Sequence, residues 1–379
     1  MDSLKRILIC ASRVSHILHF HLPYIEYFKS KGYEVHIAVQ GVTDHPLIDK
    51  CYDLNFTKNM LSPENIKTIF QLKKMIQNGG YTIVYSNTTL AGVAVRAAMM
   101  LLPKNKPYYV HISHGYMFSE KNSIKQKVIL GCEKLTKSPV DDLVVMNQED
   151  YSLAEKYRLG KNLHYIYGMG LCAERFPEIS EEKRRQVRQM LNADDHTKIL
   201  LCVGEFSSRK NQMAIITAFH QLSLKHQKII LALAGDGTKL DKCKLLAETY
   251  ELLPKIYFLG QQKDVNALYR SADLLISASK MEGLPFNVLE ALYCGLPAVV
   301  SKIKGHTDLI TNGENGLLFD ENNINDIAEK LDAVLSDSAL YDHLRASAAL
   351  DERYLIENAK PELLKILDKE YQEKYPVYQ

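Results

Sequence analysis

Short runs rich in Ile, Leu and Val alternate along the chain with stretches whose apolar residues recur at helical spacing. That alternation is the signature of parallel α/β layers. In the first part, residues 6–11, 34–39, 82–86, 108–113, 142–146 and 163–167 read as strands, with helices over 22–31, 63–77, 91–101, 124–135 and 149–157. The pattern then restarts, with strands over 198–203, 228–234, 255–259, 273–277, 297–301 and 316–319. Gly168-Met169-Gly170 and a polar helix over 180–191 separate the two sets. We place a domain boundary there, giving domains over 1–170 and 171–355, with a C-terminal helix over about 356–379 expected to pack back on the first. Two such bodies facing each other enclose a cleft, and ligands favour both domain interfaces and strand C-termini.

The first strand-to-helix turn, Ala11-Ser12-Arg13-Val14-Ser15-His16, contains no glycine. A dinucleotide fingerprint or a P-loop needs glycines there, so a nicotinamide enzyme and a nucleoside triphosphatase are disfavoured. No run approaches the ~20 apolar residues of a spanning helix, and 91–102 is interrupted by Arg96. Only five apolar residues follow Lys5-Arg6 before Ser12 and Arg13, too few for a secretory segment, so a cytoplasmic location is expected. Seven cysteines, an odd number without a C-x-x-C pair, disfavour a disulfide framework or structural zinc. Charge is uneven: residues 1–170 hold 21 Lys/Arg against 14 Asp/Glu, and residues 171–379 hold 26 against 31. The two domains are therefore expected to meet different partners. No motif supports nucleic-acid binding.

Candidate chemistry concentrates in Ser279-Lys280-Met281-Glu282-Gly283-Leu284-Pro285-Phe286-Asn287-Val288-Leu289-Glu290, between a strand and a helix. Glu282 falls on the loop and Glu290 in the helix's early turns. Carboxylates accept hydrogen bonds from sugar hydroxyls, and helix-start amides hold phosphate oxygens. The plain alternative for Glu290 is an acid placed by the helix dipole. Upstream, Val203-Gly204-Glu205-Phe206-Ser207-Ser208-Arg209-Lys210 ends a strand with two cations able to clamp a diphosphate. Asp236 in Ala234-Gly235-Asp236-Gly237 reads as a turn-forming acid. His16, His19 and His21 show no clear metal-ligand arrangement and read as surface or packing residues. His111 is expected in the fold, with His114 facing the cleft.

Gly204-x5-Lys210, Ala234-Gly235-Asp236-Gly237 and the glutamates 282 and 290, with seven residues between them, resemble retaining glycosyltransferases of the large fourth sequence family. These have the GT-B fold, two Rossmann-like domains facing each other across a cleft. Cys132-Glu133-Lys134-Leu135 and Tyr167-Gly168-Met169-Gly170 extend the likeness over nearly the whole chain. The sub-group it most resembles builds bacterial capsule, exopolysaccharide or cell-wall glycan. The resemblance implies that Arg209 and Lys210 hold the donor diphosphate and that Glu282 lies beside the donor sugar. It implies that Gly204, Gly283, Leu284, Pro285, Phe286 and Asn287 line the donor, that Glu290 binds ribose, and that His114 lies near the reaction centre. Ser15 and His16 stand where relatives often carry a Gly-Gly pair, and Cys172 where they often carry Asp.

The expected activity is therefore metal-independent, retaining transfer of a sugar from a nucleotide-diphosphate donor, UDP-sugar foremost, to a lipid-linked or glycan acceptor. The donor is a co-substrate; no cofactor or metal is implied. The basic-apolar stretch 121–130, with Tyr116, Met117 and Phe118, is expected to touch an anionic membrane at its inner face, against the alternative of a plain amphipathic helix. Two other readings stay open at this point: a sugar-nucleotide 2-epimerase, and a non-catalytic partner of the same fold.

Overall fold

The computed structural model describes residues 5–57, 62–103, 106–119 and 123–369. Two compact units comprise them: Met1–Gly170 with Ile356–Gln379, and Leu171–Leu355. The first is built on β1 (Arg6–Cys10), β2 (Glu34–Val39), β3 (Lys50–Asp53), β4 (Ile83–Asn87), β5 (Tyr108–Ile112), β6 (Asp142–Val145) and β7 (Asn162–Tyr165). These form one parallel sheet in the order β3-β2-β1-β4-β5-β6-β7, with Ile9 opposite Ile37 on one side and Tyr85 on the other. Its helices are α1 (Val14–Phe20), α2 (Leu22–Ser30), α3 (Pro63–Gly79), α4 (Thr89–Met100), α5 (Ile124–Thr136) and α6 (Gln148–Tyr157).

The second unit repeats the plan. Strands β8 (Lys198–Val203), β9 (Ile229–Ala234), β10 (Ile256–Gly260), β11 (Leu274–Ser277), β12 (Ala298–Ser301) and β13 (Gly316–Phe319) run parallel in the order β10-β9-β8-β11-β12-β13. Helices α7 (Glu181–Met190), α8 (Gln212–Lys225), α9 (Leu240–Thr249), α10 (Asn266–Ser271), α11 (Phe286–Tyr293), α12 (Ile324–Ser336) and α13 (Ser338–Ala346) accompany them. All six residues of β9 are buried, because a parallel sheet with helices on both faces has no solvent side. In each unit the chain order reverses once, between β1 and β4 and between β8 and β11. Such a switch point opens a crevice beyond the strand C-termini.

The last described helix, α14 (Ile356–Leu367), rejoins the first unit. Tyr27 Oη donates to Asp368 Oδ2 at 2.7 Å, and Tyr108 Oη donates to the Ile366 carbonyl at 2.8 Å. The chain leaves that unit at Gly170 (φ +83), where a Cβ would stand 2.6 Å from Ile356 Cα. Glycine is therefore required where the outgoing and returning segments cross.

Arg96, which breaks the apolar run of α4, meets Glu133 of α5, Nη1 to Oε2 at 2.5 Å, with both side chains inaccessible to solvent. The pair joins two neighbouring helices at the price of desolvating two charges. Arg96→Leu or Glu133→Leu alone leaves its partner's charge buried and should destabilise the chain by about 3–5 kcal/mol. The double replacement should cost far less than the two singles together. Denaturant melts of the four chains measure that coupling.

Candidate functional site

Loops following β8 and β11 meet at the second unit's switch point. Lys280 donates its backbone N–H to the Arg209 carbonyl at 2.8 Å, tying the two loops together. Arg209 Nη1 lies 2.7 Å and Lys210 Nζ 2.8 Å from the same oxygen, Oε1, of Glu282. Glu282 is 9% exposed, whereas Arg209 keeps 45% of its side chain in solvent. Burial raises the Glu282 carboxyl, but the Lys210 and Arg209 charges outweigh it and bring the pKa down to about 2. The carboxylate is thus ionised, and two cations surround it.

Gly283, Leu284 and Pro285 lead from Glu282 into α11, where Pro285 is the N-cap and no side chain caps the first turn. Asn287 donates from Nδ2 to the Val203 carbonyl at 3.2 Å, fixing this turn against the end of β8 beside Gly204. Across the loop, Gly305 (φ +79) approaches so closely that a Cβ would lie 2.6 Å from the Gly283 carbonyl oxygen. Glu290, one turn further along α11, is buried and has a different environment. Tyr269 of α10 donates to Glu290 Oε2 at 2.7 Å. Burial nevertheless dominates over that hydroxyl and the charges of Arg175 and Lys210, raising the carboxyl to about 7. Two glutamates in one segment therefore have opposite preferences for a proton.

Two neighbours of this site carry no signal in the sequence. Tyr269 lies 21 residues before Glu290, on a short helix with no motif. His306 is fully buried after β12 and its Nδ1 contacts the Ser301 carbonyl at 2.9 Å, so that nitrogen carries the hydrogen. Its Nε2 is then an acceptor, and it has no hydrogen-bond partner among the described residues. Burial lowers His306 to about 4 although Glu282 pulls it upward.

His114 belongs to the first unit, one residue beyond Ser113 at the end of β5. It lines a cavity of about 870 Å3 whose walls include Ser12, Arg13, Thr88, Leu90, Met117 and Lys125. Thr88 holds φ +65 at the end of β4, an unusual conformation for a β-branched residue, and its Oγ1 contacts Ser12 Oγ at 2.9 Å. Strain at a cavity wall is a recurrent property of binding sites. His111, by contrast, packs inside and meets Ser86 Oγ at 2.9 Å. His21 is also fully buried, in keeping with a packing residue, and it stands with His16 beside His114. Tyr116 and Phe118, expected at a membrane, are core residues stacked 4.6 Å apart. Met117 is exposed, as are Lys125 and Lys127 of α5, while Lys121 lies outside the described residues.

Residues 183–351 match the family described as glycosyl transferases group 1, and residues 7–138 match glycosyl transferase 4-like proteins. EpsD of Bacillus subtilis (strain 168), assigned to the glycosyltransferases, is 32% identical over 317 residues, covering 83% of each chain. The UDP-Gal:alpha-D-GlcNAc-diphosphoundecaprenol alpha-1,3-galactosyltransferase of Escherichia coli is 24% identical over 290 residues, 75% of this chain and 74% of its own. Among solved structures, Anabaena Alr3699/HepE in complex with UDP superposes with a TM-score of 0.75 at 18% identity, covering 97% of this chain and all of that one.

The Glu290 carboxyl gives the site a signature in stability. Its folded-state pKa of about 7 lies above the ordinary 4.5, so between those values the folded chain keeps a proton the unfolded chain has released. Stability contributed by this group is therefore present below pH 4.5 and lost as pH rises through 7. Relative to wild type, Glu290→Gln should gain on the order of 2 kcal/mol between pH 5 and pH 8. Thermal melts of both chains across that range would test it; parallel curves would contradict the assignment.

Proposed function

The chain belongs to the group 1 glycosyltransferases and has their GT-B fold, and from that premise we propose that it moves a sugar from UDP to a lipid-linked glycan acceptor with retention of configuration. The observation that carries this reading is the pair of cations converging on Glu282 at the second unit's switch point. In such a transfer the bond between the anomeric carbon and the diphosphate oxygen breaks, and negative charge grows on the leaving phosphate. Fixed positive charge stabilises that charge without reorganisation or proton transfer. Arg209 and Lys210 supply it, which makes the reaction metal-independent. The leaving phosphate then accepts the acceptor's proton as the new glycosidic bond forms.

Glu282 serves the transferred sugar and Glu290 the ribose, with Gly204, Gly283, Leu284, Pro285, Phe286 and Asn287 forming the donor's surroundings. His114 is the first unit's contribution to transfer. UDP as the nucleotide is supported by the UDP named for the Escherichia coli relative and found with Alr3699/HepE. A lipid-linked acceptor, and a place in bacterial surface polysaccharide synthesis, are supported by two relatives whose names specify diphosphoundecaprenol-linked sugars. The cavity beside His114 fits such an acceptor, since it joins apolar walls to Arg13 and Lys125.

Among the described residues no helix is long and apolar enough to cross a membrane. We propose peripheral contact through α5 instead. Ile124, Val128 and Leu135 are exposed on one face of it, near Lys125 and Lys127. Lysines at an anionic surface contribute about 1 kcal/mol each.

Arg209→Ala and Lys210→Ala should each lower kcat by at least ~100-fold in a transfer assay with UDP-sugars and a polyprenyl-diphosphate-linked sugar, without EDTA sensitivity. Near-normal turnover by both, or isomerisation of a UDP-sugar with no acceptor present, would contradict the proposal. Glu290→Ala should weaken UDP binding while Glu282→Ala mainly slows transfer; the reverse split would exchange their roles.

For membrane contact, the expected result is sedimentation with anionic but not neutral vesicles, lost when Lys125 and Lys127 become Glu. The binding must also fade at 1 M salt, where the Debye length is about 3 Å. A chain that ignores anionic vesicles at low salt would leave α5 as only the outer face of a helix.

A further inference from the structure

Helix α1 and the residue that ends it place His16 and His21 beside His114, which arrives from the end of β5 98 residues after His16. One ring nitrogen from each lies within 4.8 Å of the other two. His16 Nε2 and His114 Nε2 are 3.3 Å apart. The rings do not stack. His16 and His114 meet edge to face at 88°, His21 and His114 at 76°, and His16 and His21 at 46°. Three ring nitrogens are therefore gathered within reach of one ion without ring stacking.

The protons available do not satisfy these nitrogens. Asn87 donates from Nδ2 to the Cys10 carbonyl at 3.3 Å, which turns its Oδ1 toward His114. That oxygen accepts from His114 Nε2 at 3.0 Å, so one N–H faces both Asn87 Oδ1 and His16 Nε2. His21 is fully buried; its Nδ1 lies 3.5 Å from Tyr85 Oη, and its Nε2 has no hydrogen-bond partner among the described residues. Three imidazole nitrogens gathered this closely can hold a cation once His114 gives up the proton that faces Asn87, and nitrogen ligands favour a borderline-soft divalent ion over magnesium or calcium.

We infer that His16, His21 and His114 form a Zn2+ site in the first unit. Zinc at 2.0–2.1 Å from each nitrogen in tetrahedral geometry sets the nitrogens roughly 3.3 Å apart. The His16–His114 pair already has that separation, and no other pair needs to close by more than about 1.5 Å. His114 exchanges its bond to Asn87 for the ion, while Tyr85 remains beside His21 Nδ1 as the outer partner that orients a ligating ring. Three protein ligands leave a fourth position open, and His114, which also lines the cavity, gives the ion its route in. The site lies outside the donor machinery of the second unit and shares His114 with the transfer proposed above, which needs no metal.

Metal binding by the tag-free full chain, stripped with chelator and dialysed against micromolar Zn2+, tests the site without any transfer assay. One zinc per chain is expected. Co2+ in its place should give the intense visible bands of four-coordinate cobalt, bleached by added Zn2+. His16→Gln and His21→Gln should each weaken binding by at least the roughly 10–100-fold that loss of an outer partner costs. His21 is buried and its replacement can disturb folding, so partly exposed His16 is the deciding position, with metal-free melting temperatures compared. A wild-type chain that takes up no zinc overturns the inference, and so does a folded His16→Gln chain that binds zinc like wild type.

Discussion

Both sheets are covered on both faces, and that constraint decides where this protein can keep polar chemistry. A charged group inside either helix–sheet layer must carry its own partner, as Arg96 and Glu133 do. The strand C-termini are different, because loops there end in unpaired positions and the reversal of strand order parts them. In the second unit Arg209, Lys210, Glu282 and the start of α11 all collect at that point. In the first, Ser12, Thr88 and His114 do the same. One topological event, used twice, accounts for the location of nearly every residue with chemical interest.

What fills the two switch points differs sharply in charge. The second holds an excess of fixed cations over its one ionised carboxylate, and it keeps a second carboxyl near its titration point through burial. Environments that push two glutamates' pKa values apart assign them different tasks. An ionised Glu282 is already committed to Arg209 and Lys210, so under the proposed transfer a diphosphate competes with it for the cations and leaves it free to accept hydrogen bonds. Glu290 gains its charge most readily when hydroxyl donors arrive to replace lost water. Burial and carboxylate ionisation are coupled there in a way that composition could never reveal.

Most of this architecture was legible from periodicity, because buried parallel strands are continuous apolar runs. Strand β8 was read at 198–203, as observed, and the other anticipated strands lie within a residue or two at each end. The exceptions have physical causes. Strand β3, Lys-Cys-Tyr-Asp, is a short edge strand whose residues are half-buried or exposed, so it lacks an apolar run. Helix α1 has no side-chain cap at Arg13 and only Ile17 fully buried, so neither start signal nor stripe marks it. Basic and acidic side chains at the site were legible because their spacing sits between a strand and a helix. Tyr269, His306 and the grouping of His16 with His114 were not, since each depends on which strands become neighbours. Tyr116 and Phe118 misled for the opposite reason: an aromatic pair next to lysines looks interfacial until the sheet buries it.

The missing glycines of the first turn now have a structural consequence. Where a glycine-rich turn lets backbone amides approach a phosphate, Ala11-Ser12-Arg13 runs directly into α1, and side chains occupy the space beyond β1. Imidazoles are the side chains that arrive. Being neutral and desolvated, they cannot neutralise a diphosphate as backbone amides and a helix start do. They can donate or accept a single hydrogen bond each, or bind a soft cation. The first unit's switch point gathers imidazoles, whereas that of the second gathers Arg209 and Lys210 around Glu282. Sequence differences in one turn thus place different side chains at the switch points of two units that share a topology.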